Sequence, residues 1–169
     1  VQTPHEEKYE GITPLPYERL DFNYEYLLKV SKSLSDEALN QKKEIVVVVI
    51  STVLPGTFRN KIAPLSNRFI KLCYNPFFIA MGTTMPDYLN PEFVLFGVWD
   101  NEAAEKAEKF YKTIHKKPFY KTSVENAELI KVTYNTFIGM KIAFANTIME
   151  ICHNTPGSNV DEVTNALKM

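Results

Sequence analysis

Six consecutive β-branched residues, Ile45-Val46-Val47-Val48-Val49-Ile50, constrain the fold more than any other stretch of the chain. The run is apolar at every position and does not alternate. It therefore reads as a strand buried on both faces, a central strand that is normally parallel. Phe69–Tyr74 reads as a second strand, Phe93–Val98 as a third and Lys117–Lys121 as a short fourth. Helical patterns fall between them. Tyr24, Leu27, Leu28, Val30 and Leu34 recur with helical spacing after Asp21, a suitable N-cap. Pro55-Gly56-Thr57 turns into a short helix over 58–65. Asn101 caps a helix that runs to His115, with Lys112, His115 and Lys116 near its C-terminus. Helices alternating with buried strands define an α/β sheet. Residues 1–20, with Pro4, Gly11, Pro14 and Pro16, read as an extended loop.

After Lys121 the strands cease, and a domain boundary is expected there, dividing 1–121 from 122–169. A long apolar helix from about Ser123 to Cys152 follows. The breaker Thr155-Pro156-Gly157 separates it from a short helix that starts near Val160. On the long helix Glu128, Lys131, Asn135, Asn146 and Glu150 share one arc of roughly 100°. The other faces carry Val132, Tyr134, Phe137, Ile138, Met140, Phe144, Ile148 and Ile151. A helix apolar on most sides is expected to be buried, in a core or against a partner chain. Lys131 and Asn135, one turn apart, set a cation beside an amide at the edge of a pocket. Polar stripes on helices are ordinarily solvated, so this pair alone does not define a site.

The 169 residues suffice for one domain or a little more, with 45% apolar and 23% charged residues, as in ordinary globular proteins. A net charge of −1 gives no general pull toward nucleic acid or an anionic membrane. No run approaches the ~18 apolar residues of a membrane span, and the polar, acidic Val1–Glu10 is no signal peptide. Cys73 and Cys152 form no CxxC pattern, which fits a reducing, cytoplasmic setting, and each reads as a small hydrophobe. His5, His115 and His153 share no metal-ligand spacing, so no metal is expected. The chain starts on Val and stops inside a helical pattern, so a piece of a longer polypeptide is expected.

Three segments carry chemistry in a fixed order. The first strand ends in Ser51-Thr52-Val53-Leu54-Pro55-Gly56-Thr57. The second ends in Asn75-Pro76-Phe77-Phe78-Ile79-Ala80-Met81-Gly82, followed by Asp87 and Asn90-Pro91. The helix carries Ala127-Glu128-Leu129-Ile130-Lys131, Asn135, Phe137, Lys141-Ile142, Phe144 and Asn146. Ligands of parallel α/β sheets sit beyond the carboxyl ends of the strands. In this order and spacing the segments resemble the UDP-glucose/GDP-mannose dehydrogenase family, NAD-dependent enzymes that oxidise the C6 alcohol of a nucleotide-linked hexose to a carboxylate. Val1-Gln2-Thr3-Pro4 resembles that family's Val-x-Thr-Pro strand end, and Asp161-Glu162-Val163 a segment after its central helix.

The resemblance implies an α/β fold: the second half of a Rossmann-like dinucleotide-binding domain, then a long central helix and the start of a helical domain. It implies NAD as cofactor, a nucleotide sugar as substrate and a homodimer formed through the long helix. Thr3 and Thr52 would lie beside the dinucleotide, with Thr52 also positioning a water. Phe78 and Ile79 would line the sugar site, while Lys131, with Asn135 as companion, would stabilise a developing oxyanion. Two family acids are missing, replaced by Phe77 and Met81. In the family the Gly-rich turn precedes the position of Val1, and the nucleophilic cysteine lies beyond that of Met169. Turnover by the 169 residues alone is therefore not expected. Two other readings stand beside this one: a degenerate homologue that binds sugar nucleotides or serves assembly, and a purely structural dimerisation module.

Overall fold

The computed structural model describes residues 1–5, 21–80, 82–167 and 169. The extended-loop reading of 1–20 lies largely outside the described residues, as does Met81. The chain forms two compact units, Val1–Val132 and Thr133–Met169, with the division inside the long helix.

The first unit opens with α1 (Glu25–Gln41), which ends on Lys42 in the left-handed conformation, φ 51°. Its amide and that of Lys43 return to the Leu39 and Ala38 carbonyls, satisfying the last turn. Asp21 is not the cap expected of it. Its carboxylate instead accepts from Phe22 N, the Tyr24 hydroxyl and Lys61 Nζ. Strand β1 (Ile45–Val49) pairs in parallel with β2 (Ile70–Tyr74), with Val47 opposite Leu72. Between them the short helix expected over 58–65 is present as a π-helical turn, Phe58–Ile62, running into a 3-10 turn, Ala63–Leu65.

Beyond β2 the sheet departs from an all-parallel arrangement. Strand β3 (Val94–Val98) runs antiparallel to β2, and β4 (Phe119–Ser123) is parallel to β3, in the order β1-β2-β3-β4. The reversal follows from how the chain leaves β2. The chain enters β3 at the end of the sheet where β2 leaves it, and there Asn75 Nδ2 donates to Leu95 O (2.8 Å). Among the described residues, only the short helix α2 (Thr84–Leu89), not legible in the sequence, lies in that connection. The β3–β4 crossover uses α3 (Asn101–Tyr111), capped by the carboxylate of Asp100, one residue earlier than expected, which accepts from Glu102 N and Ala103 N.

Strand alternation sorts the core onto two faces. Leu72, Tyr74 and Leu95 meet Leu27, Val53, Phe58, Ile62, Val124 and Ala127 on one side. Cys73, Val94 and Phe96 meet Ala103, Ala104, Ala107 and Tyr111 on the other. The non-alternating run at β1 was read as a central strand, yet β1 stands at an edge of the sheet formed by the described residues, and Ile45–Val48 are only half-buried. Helix α4 (Val124–His153) begins directly against β3. A Cβ on Gly97 would lie 2.9 Å from both Val124 Cα and Ala127 Cβ, so this close approach requires glycine.

The second unit contains the remainder of α4, a turn and α5 (Val160–Ala166). Gly157 takes φ +82° in that turn, Ser158 Oγ donates to Cys152 O (3.0 Å), and Asn159 caps α5 through Asp161 N and Glu162 N. Most side chains of this part of α4 are exposed, Phe137 by 56% and Met140 by 64%. Burial within the chain, one of the two fates expected for an apolar helix, is thus limited to the first turns of α4 and to Cys152 near its end. Among the described residues, no helix is long and apolar enough to cross a membrane and no cluster of acidic, His and Cys side chains suits a metal ion.

Candidate active site

The carboxyl end of β1 runs into a turn whose backbone is held by side chains from elsewhere. Thr57 N donates to Leu54 O (3.0 Å), closing a turn in which Gly56 has φ +89°. Leu54 N donates to the Tyr24 hydroxyl (3.1 Å), which in turn donates to Asp21 Oδ1 (2.6 Å). Gly56 N and Phe58 N donate to the two carboxylate oxygens of Glu128, at 2.6 and 2.8 Å. The amino-terminal residues lie against the same turn: Ser51 Oγ donates to Val1 O (2.6 Å) and Thr3 Oγ1 to Thr52 O (2.7 Å). Thr3 and Thr52, paired in the sequence reading, are therefore brought together.

The second strand end supplies Phe77 and Phe78, which alternate between the faces of the sheet. The Phe77 ring packs against Tyr88 and Tyr111, with centroids 5.4 and 6.2 Å away. Phe78 lies 5.1 Å from Phe93, and Lys131 Nζ stands 5.0 Å from the Phe78 ring centroid. Phe78 and Lys131 thus meet through a cation–π contact. Ile79 is 41% exposed.

Lys131 and Glu128 project from the first turns of α4 into this part of the first unit. Glu128 is fully buried and Lys131 only 6% exposed. Burial disfavours charge on both, raising the Glu128 pKa and lowering that of Lys131. The two backbone N–H groups on Glu128 oppose its rise without cancelling it. Asn135 follows Lys131 by one turn of α4 but belongs to the second unit and is exposed. The polar stripe is therefore buried at its amino-terminal end and exposed at Asn135, Asn146 and Glu150. A desolvated ammonium beside an aromatic ring can hold an oxyanion more firmly than a solvated lysine could.

Glu128 was legible only as a member of the stripe. The available signal was a carboxylate in an apolar helix together with a Pro-Gly-Thr turn, whose amides require acceptors once buried.

The sequence model described as "UDP-glucose/GDP-mannose dehydrogenase family, NAD binding domain" matches residues 1–115, and that of the family's central domain matches 125–169. UDP-glucose 6-dehydrogenase of Rickettsia prowazekii is 30% identical over 168 residues, covering 97% of this chain and 35% of that enzyme. The crystal structure of a ternary complex of GDP-mannose dehydrogenase from Pseudomonas aeruginosa superposes with a TM-score of 0.80 at 28% identity, covering 91% of this chain and 37% of that one. UDP-glucose dehydrogenase from the archaeon Pyrobaculum islandicum gives 0.83 at 25% identity, covering 100% of this chain and 37% of that one. The chain spans about a third of the length of these relatives. With both domain models matched in order along nearly all of its residues, the chain belongs to the UDP-glucose/GDP-mannose dehydrogenase family.

Proposed function

We propose that these residues form part of an NAD-dependent oxidoreductase that converts a nucleotide-linked hexose, of the UDP-glucose or GDP-mannose type, to its uronic acid. The observation that carries this reading is the buried Lys131 ammonium held against Phe78, in a chain whose relatives are named for these two activities. Thr3, Ser51 and Thr52 cluster at the end of β1. Their hydroxyls suit the ribose and carboxamide of the nicotinamide half of a dinucleotide, and NAD, when bound, supplies the acceptor for the hydride leaving C6.

In this reading Lys131 meets the oxygen on which negative charge develops, where fixed donors in a dry pocket act most strongly. Asn135 supports it from the next helical turn. Thr52 orients a water, and Phe78 and Ile79 border the sugar. The boundary between nucleotide-binding and helical domains falls near residue 121. The apolar outer part of α4 pairs with a second copy of the chain, and the protein works in the cytoplasm.

Replacing the matching segment of the Rickettsia prowazekii enzyme with residues 1–169 tests the reading. UDP-glucose-dependent NADH formation is expected, falling by roughly 10²-fold or more in Lys131→Ala. Turnover that ignores this substitution would refute it. A second reading, loss of catalysis, is favoured by the seat of Phe77 among Tyr88 and Tyr111, where the family has an acid. That reading predicts a hybrid that binds UDP-glucose in a calorimeter yet forms no NADH. Calorimetry in which the 169-residue chain binds UDP-glucose and Lys131→Ala does not would exclude a purely structural module.

A further inference from the structure

Glu128 is the one fully buried carboxylate on α4, and its oxygens are occupied by the Gly56 and Phe58 amides rather than by a cation. It sits three residues before Lys131, so one helical turn carries both the group that grips the turn after β1 and the group aimed at Phe78. The gripped turn is the continuation of Thr52, whose carbonyl is tied to Thr3. On its other side the turn is held by Tyr24 through Leu54 N. We propose that Glu128 is a positioning residue: its carboxylate locks the Thr52–Phe58 turn to the helical turn bearing Lys131, fixing the register between the two halves of the site. The inference rests on the functional reading above for what the register serves, and on hydrogen bonds alone for its existence.

The physical case is one of alternatives. Gly56 N and Phe58 N point into a buried region, and losing their acceptor leaves donors whose desolvation is uncompensated. Arg59 and Glu125 are near enough to bias the Glu128 charge, but they pair with each other at the surface and do not take up the two amides. A glutamine at 128 keeps one acceptor and presents an NH2 to the second amide, so the clamp fails on one side without loss of volume.

The test uses the 169-residue chain and three readouts. In the wild type, Gly56 and Phe58 amides are expected to exchange with deuterium far more slowly than open-loop amides, because Glu128 is their acceptor. In Glu128→Gln, protection of at least one of them is expected to fall by roughly tenfold or more, while Leu72 and Leu95 amides in the sheet hold theirs. The Thr52 amide and Lys131 Cε resonances are expected to move together, and UDP-glucose affinity in calorimetry to drop by roughly tenfold. Rapid exchange at both amides in the wild type overturns the proposal even if the variant fails to fold. So does a uniform loss of protection across the sheet, or unmoved Thr52 and Lys131 resonances. A wild-type chain that binds no UDP-glucose counts against the functional reading, and the exchange and resonance arms still decide the role of Glu128.

Discussion

Lys131 carries a buried ammonium in the first unit. Burial lowers its pKa from 10.5, so between its folded-state value and 10.5 the unfolded chain holds more protons than the folded one. Its contribution to stability therefore grows as pH rises through that window and is lost as pH falls through it. Urea midpoints followed from neutral pH towards 10.5 are expected to show this rise in wild type relative to Lys131→Met. A constant difference would contradict it. Cys73 behaves oppositely as a reagent: burial pushes its thiol up to about 12, so iodoacetamide is expected to leave it unmodified at neutral pH in the folded chain. The pairing of Lys131 with an apolar helix was legible because a charge at that spacing stands out. The partners of Glu128 were not, because they are backbone amides 72 and 70 residues away in sequence, joined by hydrogen bonds that no side-chain pattern encodes.

At the scale of elements, α4 reverses the ordinary logic of an amphipathic helix. Its polar members Glu128 and Lys131 are buried, while Phe137, Ile138 and Met140 face outward. Periodicity identified the stripe but could not say which face turns inward, since that depends on the sheet beneath. Gly97 is where the sheet admits the helix. Gly97→Ala is expected to destabilise the first unit by about 1–3 kcal/mol through overpacking against Val124 and Ala127, measured by thermal unfolding. Replacement of Asp100 by alanine, removing the cap of α3, is expected to cost about 1 kcal/mol in the same measurement.

For the whole molecule, the alternation of strands and helices was legible, whereas the reversal between β2 and β3 was not. It lies in a connection that returns to the sheet at the end where β2 leaves it, which the periodicity of the strands does not encode. The exposed apolar length of α4 leads to an expectation for the intact chain: in sedimentation velocity it self-associates, and Phe137→Asp with Met140→Asp shifts it towards monomer without changing its melting of the sheet unit. The isolated 169 residues are expected to form no NADH from UDP-glucose or GDP-mannose. The position of β1 carries a separate consequence for handling. In the 169 residues taken alone, β1 stands at the edge of the sheet formed by the described residues, and a five-residue, wholly β-branched edge strand is a template onto which other chains can add strands. Recovery after denaturation should thus be a race between intramolecular closure and strand addition, and refolding yield should depend on protein concentration. Dilution favours the native fold, and crowding feeds fibrous by-products.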